Sequence, residues 1–364
     1  MTGQTTYPMV YGSPRRDCAL NVPVSRVSKM IWSVPLGLEM TEFFPRVLIW
    51  EGNPVALMHS SFGVFDKDGK FLFKREKHGA SPAAIANGLL YHENRGTYLE
   101  AVDLKNQLVL EHGSFAVAPN GEFRVTLFWP REKDYVGCSF SPYYEEVIPT
   151  VMSRIASYTE RLSLWGNDYK GPSQLFPLAI PDLNLLLVSV NNTVICTDLE
   201  QQEETGRFNI GVPKIQDWSA SPKGDLCILG SDSNGKVVLR MSPTGELLWC
   251  LHIDGDTDEW VTYQPPVQAG NGLIYALTTK RVLAIKDGKL LWQYEPKVGE
   301  VRNGSSLPDG SLLVAIGASL LHLGTDGKIL ERVSVGQELL SPPVADADGY
   351  VYLTTKTHLL KLGP

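Results

Sequence analysis

The sequence lacks the features that mark several classes of protein. It has 33 lysines and arginines against 40 acidic residues, a net charge of −7, and no run of basic residues. Proteins that bind nucleic-acid phosphates need a positive surface, so we expect no nucleic-acid partner. No stretch approaches the roughly 20 apolar residues of a membrane-spanning helix. Residues 1–17 (MTGQTTYPMVYGSPRRD) contain no apolar core of a signal peptide.

Cysteine is scarce and scattered. The five cysteines include no adjacent pair and have no spacing typical of a metal site. Cys196, Cys227 and Cys250 lie in runs of alternating apolar residues, where a thiol is usually a small buried side chain. This usage favours a reducing compartment, so the sequence as it stands predicts a cytoplasmic protein. A leader ahead of residue 1 would instead place the chain in the periplasm or outside the cell.

Catalytic signatures are missing as well. The sequence contains no HExxH, GxSxG, GxGxxG or P-loop motif. Most of the seven histidines fall in or beside the strands of the repeat described below, and strand periodicity explains them. We therefore expect no catalytic residues and no cofactor.

An acidic segment at 253–260 (IDGDTDEW) has a partial calcium-loop pattern. Asp254, Asp256 and Asp258 stand at alternate positions, but Pro265 occupies the twelfth position, where such a loop needs a bidentate acid. A solvated acidic connection is the better interpretation, and a metal site on the three aspartates is the alternative.

The sequence does contain an internal repeat. An alternating run, a tight turn and a second run ending in an apolar residue, often an aromatic, recur along the chain, for example at 64–73, 240–249 and 281–292. The Asp-Gly, Thr-Gly and Lys-Asn pairs predict two-residue hairpin turns, because Gly and Asn tolerate the positive φ of such turns, and the alternating flanks predict strands. The turns fall at Gly69, Asn106, Arg161, Gly206, Gly245, Gly288 and Gly327. Their spacing is the length of a four-stranded propeller blade.

A second element precedes the outer turns and occurs eight times. It consists of a short strand, a Gly turn and an apolar strand. The last copy (341–355) leads into THLLKLGP and leaves its blade one strand short. The segment 28–36 (SKMIWSVPL) carries Trp32 where other units carry their terminal tryptophan. We therefore predict an all-β fold, a single eight-bladed β-propeller over 1–364, closed by the N-terminal strand 28–36 in the last blade. Seven blades is the alternative.

Two outer units, PTGELLW (243–249) and KDGKLLW (286–292), resemble the pyrrolo-quinoline-quinone-type propeller repeat. The resemblance implies that the terminal aromatic of each unit docks on the next blade; the candidates are Trp32, Phe73, Trp165, Trp249 and Trp292. Dehydrogenases of this family bind their quinone with a vicinal cysteine disulfide, a calcium cluster and a catalytic aspartate, and this sequence has no Cys-Cys pair. Another branch is similar to the propeller lipoprotein of the β-barrel assembly machinery, a non-catalytic scaffold.

One repeat unit is longer than the others, and we place its extra length at 129–152, in the third blade. Loops between the second and third strands lie on the same propeller face as the connections between blades. The insertion carries aromatics among few charges, a composition typical of interface cores: Tyr135, Phe140, Tyr143 and Tyr144. We expect a non-catalytic scaffold that binds a protein partner through this face.

The mouth of the central channel lies on the same face. Aligning the inner strands places these side chains around it: Arg46, Asp217, Trp218, Gln264, Arg302 and Asn303. Such a set can hold a small polar ligand or a peptide, so a small-molecule-binding protein or lyase-type enzyme is the alternative function. Polar groups line any propeller channel, however, and need no ligand to explain them. A cell-envelope assembly factor is the third possibility, by resemblance.

Overall fold

The computed structural model describes residues 13, 15–24, 26–37, 46–58, 61–76, 83–86, 88–94, 98–114, 123–128, 135–140, 161–164, 167–170, 178–190, 192–198, 203–253, 259–261 and 264–364. These residues contain 32 β-strands and one short 3₁₀ helix, Pro181–Leu183. In this part of the chain no helix is long and apolar enough to span a membrane.

The described strands form eight antiparallel sheets of four strands each, numbered here in chain order. Sheets 1 and 2 are β2 (Arg46–Trp50), β3 (Asn53–Leu57), β4 (Ser61–Phe65) and β5 (Phe71–Glu76), then β6 (Ala83–Ala86), β7 (Leu89–Asn94), β8 (Tyr98–Asp103) and β9 (Leu108–Ser114). Sheets 3 and 4 are β10 (Phe123–Phe128), β11 (Tyr135–Phe140), β12 (Arg161–Leu164) and β13 (Asn167–Lys170), then β14 (Leu178–Ile180), β15 (Leu185–Val190), β16 (Thr193–Asp198) and β17 (Glu204–Asn209).

The remaining sheets continue the same order. Sheets 5 and 6 are β18 (Lys214–Ala220), β19 (Leu226–Asp232), β20 (Gly235–Met241) and β21 (Leu247–Ile253), then β22 (Val267–Gln268), β23 (Ile274–Leu277), β24 (Val282–Lys286) and β25 (Lys289–Tyr294). Sheets 7 and 8 are β26 (Val301–Ser306), β27 (Leu312–Ile316), β28 (Ser319–Leu323) and β29 (Ile329–Ser334), then β30 (Val344–Ala345), β31 (Val351–Thr354), β32 (His358–Gly363) and β1 (Lys29–Pro35).

Sheet 8 therefore joins the two ends of the described chain. The strand predicted at 28–36 is β1, which pairs antiparallel with β32 from Lys29 opposite Gly363 to Pro35 opposite His358. Its first strands, β30 and β31, pack against β2 of sheet 1. One apolar core is shared by sheets 7, 8, 1 and 2 and includes Leu313, Leu353, Leu48 and Val102. The closure thus rests on backbone pairing and on a common core.

The outer turns are of two kinds. At Gly69 the loop has three residues, because the N–H of Asp66 donates to Lys70 O (2.9 Å) and the N–H of Gly69 to Asp66 O (3.0 Å). A glycine at positive φ in the third loop position is typical of a type I turn with a glycine bulge. The register of β4 and β5 shifts separately between Val64 and Phe65, where Leu72 has no partner. The prediction of a two-residue turn was wrong at this position. Asp287 and Gly288, both at positive φ, do form one.

Aromatic side chains connect each of several sheets to the next. A Cβ placed on Gly69 of sheet 1 would lie 3.0 Å from the Trp32 ring, and the Trp32 indole N–H donates to Lys67 O at 3.1 Å. Trp249 of sheet 5 lies in the same way against Gly288 of sheet 6. The other members of this set in the described chain are Trp292 against Gly327 and Phe208 against Gly245. Phe73 packs edge-on against Phe62 of its own sheet, at 6.2 Å, and Trp165 lies outside the described residues.

Sheet 3 corrects the predicted repeat. Residues 135–140, assigned to the insertion at 129–152, form the regular strand β11, which pairs with β10 over its whole length. Arg161, where the repeat placed the outer turn, begins the third strand, β12. The extra length between described strands is thus 141–160, between the second and third strands. The alternation of a strand has a period of two and fits several registers, which explains the misplacement.

Candidate functional site

Residues 15–20, called here the N-terminal segment, run along the first strands of sheets 5, 6 and 7. Three backbone N–H groups of these strands donate to it: Ala220 to Arg15 O (2.8 Å), Gln268 to Asp17 O (2.9 Å) and Ser306 to Cys18 O (3.0 Å). The Leu20 N–H donates back to Ser306 O at 2.8 Å. First strands are edge strands with unpaired backbone groups, so the segment supplies the partners they lack.

Arg16 carries the main side-chain contact of the segment. Its two terminal nitrogens lie 2.6 and 3.1 Å from the two carboxylate oxygens of Asp217, on β18. Both residues are almost fully buried, at 5% and 4% exposure. The backbone N–H of Trp218 donates to the same carboxylate at 2.8 Å. Both oxygens of Asp217 are therefore engaged within the chain.

A second buried carboxylate, Asp17, belongs to the N-terminal segment itself. Burial raises its pKa, and the Arg15 guanidinium opposes that shift. Arg15 donates to Asp17 Oδ2 at 3.2 Å, and the Ala19 N–H donates to Oδ1 at 3.3 Å. These contacts hold the carboxylate within the segment.

Gln264 and Cys18 meet beside the first strand of sheet 7. The Gln264 amide nitrogen donates to Pro265 O (2.9 Å) and lies 3.4 Å from Cys18 Sγ. The Gly304 N–H donates to the amide oxygen at 3.2 Å. Burial raises the pKa of the Cys18 thiol, so the group stays neutral. Gln264 thus bridges the N-terminal segment and the first strand of sheet 7.

The other predicted channel residues divide into two groups. Trp218 is fully buried in the core between sheets 4 and 5, and Arg46 is 5% exposed on β2. Arg302 pairs with Glu338 at 2.5 Å and with Glu300 at 3.4 Å. Asn303 donates to Leu340 O at 3.0 Å. The structure thus brings Asp217 and Gln264 together with the N-terminal segment, whereas Arg302 and Asn303 contact other parts of the chain.

Sequence reasoning did not select Arg16, Asp17 or Cys18. The signal for them was the charged run SPRRDCAL (13–20), with two adjacent arginines in an otherwise apolar and polar stretch. Of the remaining candidates, Tyr135 and Phe140 are the ends of β11. Tyr143, Tyr144, Asp254, Asp256 and Asp258 lie outside the described residues.

Comparison with solved structures shows a β-propeller fold. The chain is similar to a europium-containing methanol dehydrogenase, with a TM-score of 0.66, 9% identity, and coverage of 99% of this chain and 98% of that one. Quinohemoprotein alcohol dehydrogenases from Pseudomonas putida HK5 and Comamonas testosteroni also give TM-scores of 0.66, with 11% and 10% identity and 80% of each covered. No protein-family model and no curated protein matches the sequence. Sequence identities this low support a common fold but say nothing about a common activity.

The described residues do not fit a calcium-bound quinone. Asp217, the carboxylate nearest the N-terminal segment on the first strands, is neutralised by Arg16. Cys18, Cys196, Cys227 and Cys250 are free thiols, and among the described residues no three His, Cys, Asp or Glu side chains group as metal ligands. The sequence contains no adjacent cysteines. We therefore derive no chemistry through that cofactor.

Proposed function

We propose that the chain is an eight-bladed β-propeller that serves as a non-catalytic scaffold for a protein partner. Eight four-stranded sheets, of which the last packs on the first, support the blade number. The likeness to propeller dehydrogenases supports the architecture.

The observation that carries the proposal is that polar groups predicted to lie around the channel mouth are engaged within the chain. Asp217 is held by Arg16, Gln264 by Gly304 and Pro265, and Asn303 by Leu340. A site for a small polar ligand needs donors and acceptors that are left for the ligand. These side chains instead hold the chain's own N-terminal segment and strands. A structural role for them, with binding elsewhere on the surface, follows.

We place the binding surface on the face that carries the extra length between β11 and β12. That connection joins the second and third strands of sheet 3, and in a propeller such loops share a face with the connections between blades. Tyr143 and Tyr144 fall within it. Tyrosines are frequent anchors in protein interfaces, which supports a partner at this surface.

The test compares two tagged variants with the parent protein in an extract of the native organism. Tyr143→Ser/Tyr144→Ser removes the proposed anchors, and Phe71→Ser is the control, because Phe71 is a half-exposed aromatic on the outermost strand of sheet 1. We expect a stoichiometric partner with the parent and the control, and its loss with the tyrosine variant. Equal recovery with all three proteins contradicts the assignment of this surface.

A small-molecule-binding or lyase-type function at the channel mouth is the second candidate. The observation that favours it is Arg302, whose side chain is 38% exposed although it is paired with Glu300 and Glu338. An anionic ligand would compete with these carboxylates for the guanidinium. A ligand that raises the melting temperature of the parent but not of Arg302→Ala would support this function over the scaffold.

A further inference from the structure

Three side chains with nucleophilic or titratable groups meet on the outer part of sheet 5. Cys250 and His252 alternate along β21, the outermost strand, so both point to the same face of the sheet. Asp232 ends β19, two strands further in, opposite Gly235 of β20. The His252 imidazole reaches across the third strand to the Asp232 carboxylate.

The distances order the three groups in a line. Cys250 Sγ lies 4.0 Å from Nδ1 of His252, and Nε2 of His252 lies 3.0 Å from Oδ2 of Asp232. A carboxylate only accepts hydrogen bonds, so Nε2 carries a proton, and in the neutral imidazole the lone pair is then on Nδ1, which faces the thiol. The ring is therefore in the tautomer that accepts a proton from sulfur.

Asp232 is itself held in position. The Asn234 N–H donates to its Oδ1 at 2.7 Å, while the other oxygen faces His252. The hydrogen bond from His252, followed by that from Asn234, lowers the Asp232 pKa. The carboxylate is thus charged at neutral pH and fixes the orientation of the imidazole.

Exposure separates Cys250 from three other cysteines whose side chains the structure describes. Cys18, Cys196 and Cys227 are buried, whereas Cys250 is exposed. Sequence periodicity had grouped Cys250 with the buried thiols, and that prediction was wrong. From Leu248 to His252 the side chains of β21 alternate between exposed and half-buried, because the outermost strand of a sheet leaves one side in solvent.

We propose that Cys250, His252 and Asp232 form a thiol-modification site that takes low-molecular-weight disulfides. The Cys250 sulfur attacks one sulfur of the disulfide, whose S–S bond breaks as a new mixed disulfide forms. The thiol proton passes to Nδ1 of His252 and then to the departing sulfur, which leaves as a free thiol. Cys250 is oxidised, and the released half of the reagent is reduced.

The imidazole is needed because the thiol holds its proton. Partial burial, with a smaller contribution from the Asp232 charge, raises the Cys250 pKa. Since the thiolate is the attacking species, a neutral thiol without a base reacts slowly at neutral pH. A base aligned by a third group is the arrangement that activates weak nucleophiles. This inference does not depend on the proposed scaffold function.

The experiment uses the full chain and a neutral probe, 2-hydroxyethyl disulfide, at pH 7. Acid quenching, digestion and mass spectrometry give the rate at each cysteine separately. We expect Cys250 to react and Cys196 and Cys227 to stay protected. We expect His252→Asn to slow Cys250 by about tenfold, below the range of roughly 10²–10⁴ for general bases in enzyme sites.

Two further measurements separate base catalysis from a change in fold or access. Free imidazole added to His252→Asn restores part of the Cys250 rate, and Asp232→Ala reacts at a rate between the parent and His252→Asn. Protection of Cys196 and Cys227 shows that the variants are folded. The proposal is overturned if Cys250 in His252→Asn reacts as fast as in the parent. It is equally overturned if Cys196 or Cys227 matches the Cys250 rate in the parent.

Discussion

Arg16 and Asp217, 201 residues apart in sequence, form a buried bidentate ion pair. Arg16 belongs to the N-terminal segment and Asp217 to the first strand of sheet 5. Removing two charges from water costs several kcal/mol per ion, which only close geometry and additional hydrogen bonds offset. The Trp218 N–H provides one such bond. The pair therefore ties the position of the segment to that of the sheet.

Replacing Arg16 alone destabilises the fold. In Arg16→Met the Asp217 carboxylate stays buried without its partner, and we expect the free energy of unfolding to fall by about 3–5 kcal/mol. The double variant Arg16→Met/Asp217→Leu removes both charges and should recover most of that loss. Urea unfolding of the three proteins measures both effects.

The control for this prediction is an exposed ion pair. Arg207 pairs with Glu204 on β17, with the Arg207 side chain 57% exposed. Surface pairs contribute at most about 1 kcal/mol, so Arg207→Ala should change stability little. An Arg16→Met protein no less stable than Arg207→Ala would contradict the importance of the buried pair.

The contact between Trp292 and Gly327 predicts a second effect. Gly327 has φ +81°, and an added Cβ would lie 2.8 Å from the Trp292 ring. Gly211 has φ +80° with nothing within 4 Å of its Cβ position. Both Gly→Ala substitutions carry the strain of a positive φ, but only Gly327→Ala also displaces the indole. We expect Gly327→Ala to lose roughly 1–3 kcal/mol more, measured by urea unfolding. Equal losses of stability in the two variants would show that the Trp292 ring contributes nothing to the cost of Gly327→Ala.

Stability should depend on pH through His322. Burial lowers its pKa below the ordinary 6.5, and Ser311 Oγ lies 2.8 Å from its Nε2. The unfolded chain therefore binds the proton at a higher pH than the folded protein does. The stabilisation is fully present above pH 6.5 and is lost as the pH falls toward the lowered value. We expect the stability difference between the parent and His322→Gln to shrink from pH 7.5 to pH 5.5. A difference that stays constant over this range refutes the prediction.

The parts of the fold that follow local rules were predictable. The alternation in KDGKLLW and its Asp-Gly turn place β24, the turn and β25 correctly, because strand period and turn chemistry act over a few residues. The closing strand was recognisable because Trp32 occupies the same position in its unit as Trp249. The prediction for sheet 3 failed because the sequence of residues 154–165 resembles that of an outer hairpin. The register of a strand is decided by the strands it pairs with, and these are not visible in the local sequence.

The candidate sites were less predictable, for a different reason. Arg16 meets Asp217, and His252 meets Asp232, only after strands have been assembled into sheets. No local pattern encodes such pairs. The exposure of Cys250 depends on its strand being outermost, which the repeat suggested but which alternation alone does not reveal.

The pairing of β1 with β32 predicts that the fold is kept in a circularly permuted chain, in which β1 follows β32 in the sequence. Lys29 pairs with Gly363, and the Ser28 N–H donates to Gly363 O at 3.0 Å, so the two strands are placed as a hairpin. A permuted chain that begins at residue 37 and continues from Gly363 through Asn-Gly into residues 29–36 would keep this pairing. Asn-Gly suits a two-residue hairpin turn.

The matched control is the chain that simply begins at residue 37. Both proteins lack the N-terminal segment and, apart from the Asn-Gly linker in place of Pro364, differ only in the closing strand, so the difference in their stability reports on that strand. We expect the permuted chain to melt roughly 5 °C or more above the truncated one, since about 2 kcal/mol shifts the melting temperature of a large domain by several degrees. The truncated chain should also aggregate more, because β32 becomes an exposed edge. Equal melting temperatures would mean that β1 pairs with β32 without stabilising the ring.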